Sequence, residues 1–259
     1  MGTDRRYRCL PFDPPAGAVR SGARVFHFFR HGEALQQVRN AEAKKRGAGC
    51  ACFDHGPAGP PPGYVCPYWS EALTDAPLTA LGREQVSGRG LGLGPVEVVL
   101  ASPMSRTLET ARLAFAPDVP VVALPELRPR VGRHMHSKCS PRAALLQRFP
   151  QVDFRHVASD EDLRWSPETE PREELEERAA RFLAFAFSRP ERRIAVVTHF
   201  TLLLALLLSS DDTFTLGPSA RPLGTAALLD CSQCPDPKAL QEPVEVGQAR
   251  SLAIVRAGS

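Results

Sequence analysis

The stretch Arg24-Val25-Phe26-His27-Phe28-Phe29, running into Arg30-His31-Gly32, decides how the rest of the chain is read. A short run of aromatic and β-branched side chains predicts a buried strand. It stops at a guanidinium, an imidazole and a glycine, so polar groups are delivered at its carboxyl end. Open α/β sheets place their ligands at such strand ends. His27, inside the apolar run, reads as a satisfied core residue.

Outward from this strand, Ala41 to Asp75 contains GAGCACFDHGPAGPPPGYVCP and predicts an irregular excursion near the site, with neither helix nor strand. Leu78-Thr79 opens a predicted helix to about Arg89. Val96 to Leu100 predicts a second strand, ending in Ala101-Ser102-Pro103. Leu108, Ala111 and Phe115 repeat at three and four residues, one face of a helix over Ser105 to Phe115 that Ser102 or Ser105 can cap. A third strand is predicted at Val119 to Leu124 and helices at Pro141 to Phe149 and Glu173 to Phe187. Ile194 to Thr198 reads as a strand ending in His199, followed by a buried helix from Phe200 to Leu208. Thr225 to Asp230 and Ser251 to Val255 are further strand candidates. Alternating strands and helices predict a layered α/β sheet with helices on its faces. Residues 1–23 are set apart as an N-terminal extension, and 24–259 as one domain with an insertion at 41–75.

The bulk numbers are ordinary for a soluble globular protein. The 259 residues are 43% hydrophobic and 24% charged, with a net charge of +3 and no dense Lys/Arg run, so no nucleic-acid face is expected. The longest apolar stretch, Phe200 to Leu208, is far short of a membrane span, and the N-terminus lacks a signal-peptide core, so a cytoplasmic location is expected. Seven cysteines, with Cys50, Cys52 and Cys66 in one loop and Cys231 and Cys234 near the end, suit free thiols in a reducing compartment. Cys231-x-x-Cys234 has no evident matching Cys/His pair, so neither a metal nor a cofactor is expected.

Three predicted strand ends present Arg30 with His31, Arg106 just inside the following helix, and His199. In a mainly parallel sheet these ends share one edge. A phosphoryl group is held by guanidinium forks and attacked by a nucleophile in line with its leaving oxygen. A neutral imidazole is a competent nucleophile and forms a phosphohistidine that water can cleave. Each residue alone is unspecific; the set points to an anion pocket.

The motifs RHGE (30–33), DAPLTALGREQ (75–85), ASPMSRTLETA (101–111) and VVTHF (196–200) resemble the histidine phosphatase superfamily, in its phosphoglycerate-mutase-like branch. The resemblance runs from about Arg24 to Leu208. It implies a three-layer α/β/α fold with a mixed, mostly parallel sheet. It also implies that His31 is the phosphorylated nucleophile, that Arg30 and Arg106 hold the phosphate, and that His199 is the second pocket histidine. A weaker resemblance over residues 125–154 puts Gly132, His134 and Lys138 where the branch would have them, and makes Gln37 and His134 candidate substrate-pocket residues.

The chain departs from the family at its proton donor. Anchoring on Arg128 and Gly132 places Pro129 where a Glu is expected, and proline cannot transfer a proton. Glu126, three residues earlier, is the candidate substitute; Glu33, His134 and His136 are further conceivable donors. The expected function is a metal-independent phosphatase of the histidine acid type, acting on a small phosphomonoester, with activity reduced by Pro129. The alternatives are a catalytically impaired phosphate-binding or regulatory protein and a phosphoglycerate-mutase-type phosphotransferase.

Overall fold

Side chains along a strand alternate between the two faces of a sheet, and that alternation divides the core in two. The computed structural model describes residues 7–10, 23–52, 63–207, 229–230, 245 and 247–256. Within them β1 (Tyr7–Leu10), β2 (Arg24–Arg30), β3 (Val98–Ala101), β4 (Val121–Ala123), β5 (Val152–Asp153), β6 (Arg193–Thr198), β7 (Leu229–Asp230) and β8 (Ala249–Arg256) form one sheet in the order β5-β4-β3-β6-β2-β8-β1-β7. All pairings are parallel except those of β8, which runs antiparallel to both β1 and β2.

On one face Phe26, Phe28, Val98, Leu100, Ile194 and Val196 pack with Ala179, Phe182, Leu183, Leu202 and Leu206. The latter come from α5 (Arg172–Ser188) and α6 (Phe200–Leu207). On the other face Phe29, Val99, Ala101, Ala195 and Val197 pack with Leu108, Ala111, Ala114 and Leu145, from α3 (Ser105–Ala114) and α4 (Arg142–Arg148). Helices therefore cover both faces, and the fold is the expected three-layer α/β/α. His27 is buried, and its Nδ1 lies 2.7 Å from Ser251 Oγ.

Three readings change. The segment from Ala41 is not irregular throughout, because α1 (Leu35–Lys45) carries helical structure into it. Its residues up to Lys45 include no Gly or Pro, and the helix gives out at Gly47, whose φ is +70°. Short 3₁₀ turns follow at Pro67–Trp69 and Glu71–Leu73. Secondly, residues 7–10 of the presumed extension belong to the sheet, where Tyr7 pairs with Arg256 of β8 and Leu229 of β7. Four residues including an arginine carry too little pattern to announce a strand. Thirdly, α2 (Ala80–Val86) stops three residues before Arg89; Thr79 Oγ1 caps it by accepting from Gly82 N at 2.9 Å. Of the strand expected at 225–230, the described residues are Leu229–Asp230.

Two glycines let the end of β2 meet α2 backbone to backbone. A Cβ on Gly32 would lie 2.3 Å from Gly82 O, and one on Gly82 would lie 1.9 Å from Glu33 O. Gly82→Ala is therefore expected to destabilise by about 1–3 kcal/mol through overpacking, lowering the urea midpoint. Gly92→Ala, with nothing within 4 Å of the added Cβ, should leave it unchanged.

Candidate active site

Parallel pairing of β2 with β6 sets Arg30 opposite Thr198, and His31 N donates to Thr198 O at 3.2 Å. The next residue on each strand end is a histidine, and the His31 and His199 rings lie 5.0 Å apart at 61°. β3 is the other neighbour of β6, so the turn after it brings in Ser102 and the first turn of α3 brings in Arg106. Arg30, His31, Arg106 and His199 thus meet at one sheet edge, as expected.

The hydrogen bonds fix the tautomers. His31 Nδ1 is 2.7 Å from Gly32 O; a carbonyl can only accept, so Nδ1 carries the proton and Nε2 keeps its lone pair. His199 Nδ1 is 3.3 Å from Arg106 Nη2, and its Nε2 is 3.0 Å from Ser102 Oγ. A guanidinium only donates, so His199 Nδ1 accepts and Nε2–H donates to Ser102. Burial first, and the Arg106 charge next, hold both His31 and His199 well below the ordinary imidazole range. Both imidazoles are neutral at pH 7.

Arg106 is 1% exposed. Its Nη1 donates to His136 O at 3.1 Å, Nη2 reaches His199, and its Nε has no hydrogen-bond partner. Burial pushes it down to about 10, although the Asp75 carboxylate opposes this. No carboxylate forms a salt bridge with it among the described residues, and a buried cation in that condition calls for an anion. Arg30 is half-buried, with its guanidinium 5.0 Å from the centroid of the Phe200 ring. Phe200, a bulky residue directly after His199, thus supplies a cation–π face for Arg30.

The supporting groups carry little signal in the sequence. Asp75 accepts from Ser105 N at 2.7 Å and Ser105 Oγ at 2.6 Å, so α3 is capped from a distant segment rather than by Ser102 or Ser105 as expected. Thr110 Oγ1 accepts from Gly32 N at 3.2 Å. Both lie inside motifs quoted above, yet only the fold shows what they touch. Arg178 of α5 is fully buried, pairs with Glu170 through two hydrogen bonds, and donates to the carbonyls of Glu126, Arg128 and Pro129. Arg128 forms a second buried pair with Asp162.

The remaining candidates sit elsewhere. Glu126 lies in a 3₁₀ turn and lines a pocket with Pro103, Arg128, Cys139 and residues 156–164, among which none of Arg30, His31, Arg106 or His199 appears. Glu33 Oε1 accepts from Thr79 Oγ1 at 2.7 Å. Gln37 Oε1 accepts from Ala34 N at 3.0 Å at the start of α1, and Gln37 lines a shallow pocket with Glu33 and Lys45. His134 turns toward Cys50, its Nε2 being 3.8 Å from Sγ. His136 lies between these regions: its carbonyl accepts from Arg106, and its ring stacks on His134 at 5.4 Å.

The model of the histidine phosphatase superfamily (branch 1) matches residues 69–228, more than half of the chain. A phosphoglycerate mutase-like protein of Arabidopsis thaliana is 32% identical over 183 residues, 55% of this chain and 66% of the relative. Phosphoglycerate mutase-like protein 1 of the same plant is 32% identical over 171 residues, 51% of this chain and 60% of the relative. The matches thus span less than two thirds of either relative. The solved alpha-ribazole phosphatase of Shigella flexneri has 18% identity and a TM-score of 0.47, covering 90% of this chain and 94% of that one. No helix among the described residues is long and apolar enough to cross a membrane.

With its Nε2–H kept on Ser102, His199 can donate from Nδ1 to an oxyanion only by gaining a proton. An incoming dianion opposes the lowering by Arg106 and so raises the proton affinity. Sulfate, which does not titrate near neutrality, should therefore bind with proton uptake and bind more weakly as pH rises. Calorimetric enthalpies that do not vary with the buffer's ionisation enthalpy would contradict this. Arg106→Ala should weaken sulfate binding by roughly 10- to 100-fold, the worth of ~1.5–3 kcal/mol of charged hydrogen bonding.

Proposed function

We propose a reaction for this chain from one premise: it belongs to the histidine phosphatase superfamily. The reading is a phosphatase that hydrolyses a small phosphomonoester through a phosphohistidine, with no metal in the reacting centre. The observation that carries it is the His31 tautomer: Nδ1–H held by Gly32 O leaves the Nε2 lone pair available beside a buried guanidinium that lacks a carboxylate partner.

In this reaction Arg30 and Arg106 take the phosphoryl oxygens and offset their charge. His31 Nε2 attacks phosphorus as the bond to the leaving oxygen breaks, and the leaving oxygen takes its proton from solvent. Water then attacks the phosphohistidine, the P–N bond breaks, and inorganic phosphate leaves with His31 neutral again. His199, once protonated, donates to an equatorial oxygen, while Ser102 holds its other nitrogen.

The weak step is protonation of the leaving oxygen. Pro129 occupies the expected acid position, its carbonyl is tied to Arg178, and Glu126 lines a different pocket. Hydrolysis should then depend steeply on the leaving group, because a missing general acid forfeits about 10²–10⁴ in rate for a poor one. The same observation favours a second reading, a phosphate-binding regulatory protein that has lost turnover.

An activated aryl phosphate and an alkyl phosphate ester separate the two. The phosphatase reading expects phosphate release from the aryl ester that disappears in His31→Ala, and alkyl ester release slower by at least about 10²-fold. Glu126→Gln should leave the alkyl rate unchanged. Sulfate binding without His31-dependent release from either ester would establish the regulatory reading instead.

A further inference from the structure

The Gly/Pro/Cys-rich insertion brings three cysteines to one place, and a distant loop adds a histidine. Cys50 and Cys52 follow α1, Cys66 precedes the turn at Pro67–Trp69, and His134 comes from the loop that also holds His136. One ligand atom from each of these four residues lies within 4.8 Å of the other three. Cys66 is 1% exposed and His134 is 7% exposed, while Cys50 and Cys52 are half-buried.

We propose that Cys50, Cys52, Cys66 and His134 bind one structural zinc ion, which clasps the insertion onto the loop beside the phosphate pocket. The spacing fits: a tetrahedral centre with Zn–S bonds of ~2.3 Å has sulfur–sulfur edges of roughly 3.8 Å. The cluster needs to contract by no more than about 1 Å at its widest edge to reach that geometry. Three thiolates and one imidazole are a soft, borderline donor set that selects zinc over magnesium or calcium. Four protein ligands leave no open position, which makes the site structural rather than catalytic.

The surroundings prepare the ligands. Cys50 N donates to Asn40 Oδ1 at 2.7 Å, Ala51 N donates to Tyr64 Oη at 2.7 Å, and Tyr64 Oη donates to Gly49 O at 3.0 Å, so the Cys50-x-Cys52 backbone is held. On the other side, His134 O accepts from Ser137 Oγ at 2.7 Å and Trp165 Nε1 at 3.2 Å. The Tyr68 ring packs 5.1 Å from the His134 ring. Zinc with three thiolates and a neutral imidazole carries one net negative charge, and Arg133 faces Cys52 with the opposite sign. Each thiol releases its proton on binding, so affinity should rise with pH.

The clasp also explains why the insertion ends where it does. Asp75 N donates to Lys138 O at 3.1 Å, and Arg106 Nη1 donates to His136 O at 3.1 Å. The loop that supplies His134 therefore supports both the cap of α3 and the buried phosphate arginine.

The full chain, produced with zinc and purified under reducing conditions, should contain one zinc per molecule by elemental analysis. Cobalt substitution should give the visible bands of a tetrahedral site together with thiolate-to-cobalt charge transfer. Cys66→Ser and His134→Ala should each lose most of the metal, whereas Cys139→Ser, outside the cluster, should retain one equivalent. Chelation should lower the melting temperature reversibly. Because metal content and the cobalt spectrum need no substrate, the outcome is independent of whether the chain is a phosphatase. Reduced wild-type chain that takes up no stoichiometric zinc, that forms a disulfide among these cysteines in place of the metal site, or that gives a cobalt spectrum without thiolate bands would overturn the proposal. So would full zinc content in both ligand variants.

Discussion

The parallel register of β2 on β6 is the constraint on which everything else rests. Arg30 stands opposite Thr198, so the residues that follow, His31 and His199, emerge side by side at one edge. A slip of one residue would turn Phe26 and Phe28 away from the helices of their face and Phe29 away from the other. Two packed cores, one on each side, therefore lock the register that aligns the imidazoles. The catalytic geometry costs little extra specification, because the hydrophobic pattern that folds the sheet also sets it.

What the sheet cannot do is support a buried cation. Among the described residues Arg106 is held by a carbonyl and an imidazole, and no carboxylate forms a salt bridge with it. Two other buried arginines show the contrast. Arg128 and Arg178 each have a bidentate carboxylate partner, Asp162 and Glu170, and each also binds main-chain carbonyls. Those pairs are internally neutral and shape the loop over residues 126–139. The chain thus distinguishes buried arginines that carry a carboxylate partner from one that forms no such salt bridge among the described residues.

This division accounts for what could be read from the sequence. The strand ends, the helices α3, α5 and α6, and the four pocket residues follow from apolar periodicity and from polar residues at its edges, both local properties. Tyr7–Leu10 was invisible because a strand of four residues owes its existence to β7 and β8, which pair with it from distant parts of the chain. The Asp75 cap of α3 was invisible because its partners are thirty positions apart. Pro129 was noticed as a missing acid; its neighbourhood became intelligible only with Arg178, which uses the carbonyls of that bend and makes no demand on the side chain at 129. Its place in a motif makes His134 a substrate-pocket candidate; only the fold shows that its Nε2 lies 3.8 Å from Cys50 Sγ.

The cysteines show the same limit more sharply. Cys231-x-x-Cys234 has the spacing that suggests a metal in a sequence, but it lies outside the described residues. The cluster that forms has Cys50-x-Cys52 close together, Cys66 beyond a proline-rich stretch and His134 on another loop, a pattern with no short-range signature. Its position clarifies the chemistry. With four protein ligands, a metal there would have no site for a substrate oxygen. Charge neutralisation at the phosphoryl group would remain the work of Arg30 and Arg106. The metal's contribution would be mechanical: coordination would hold Cys50, Cys52 and Cys66 against the loop that carries His134.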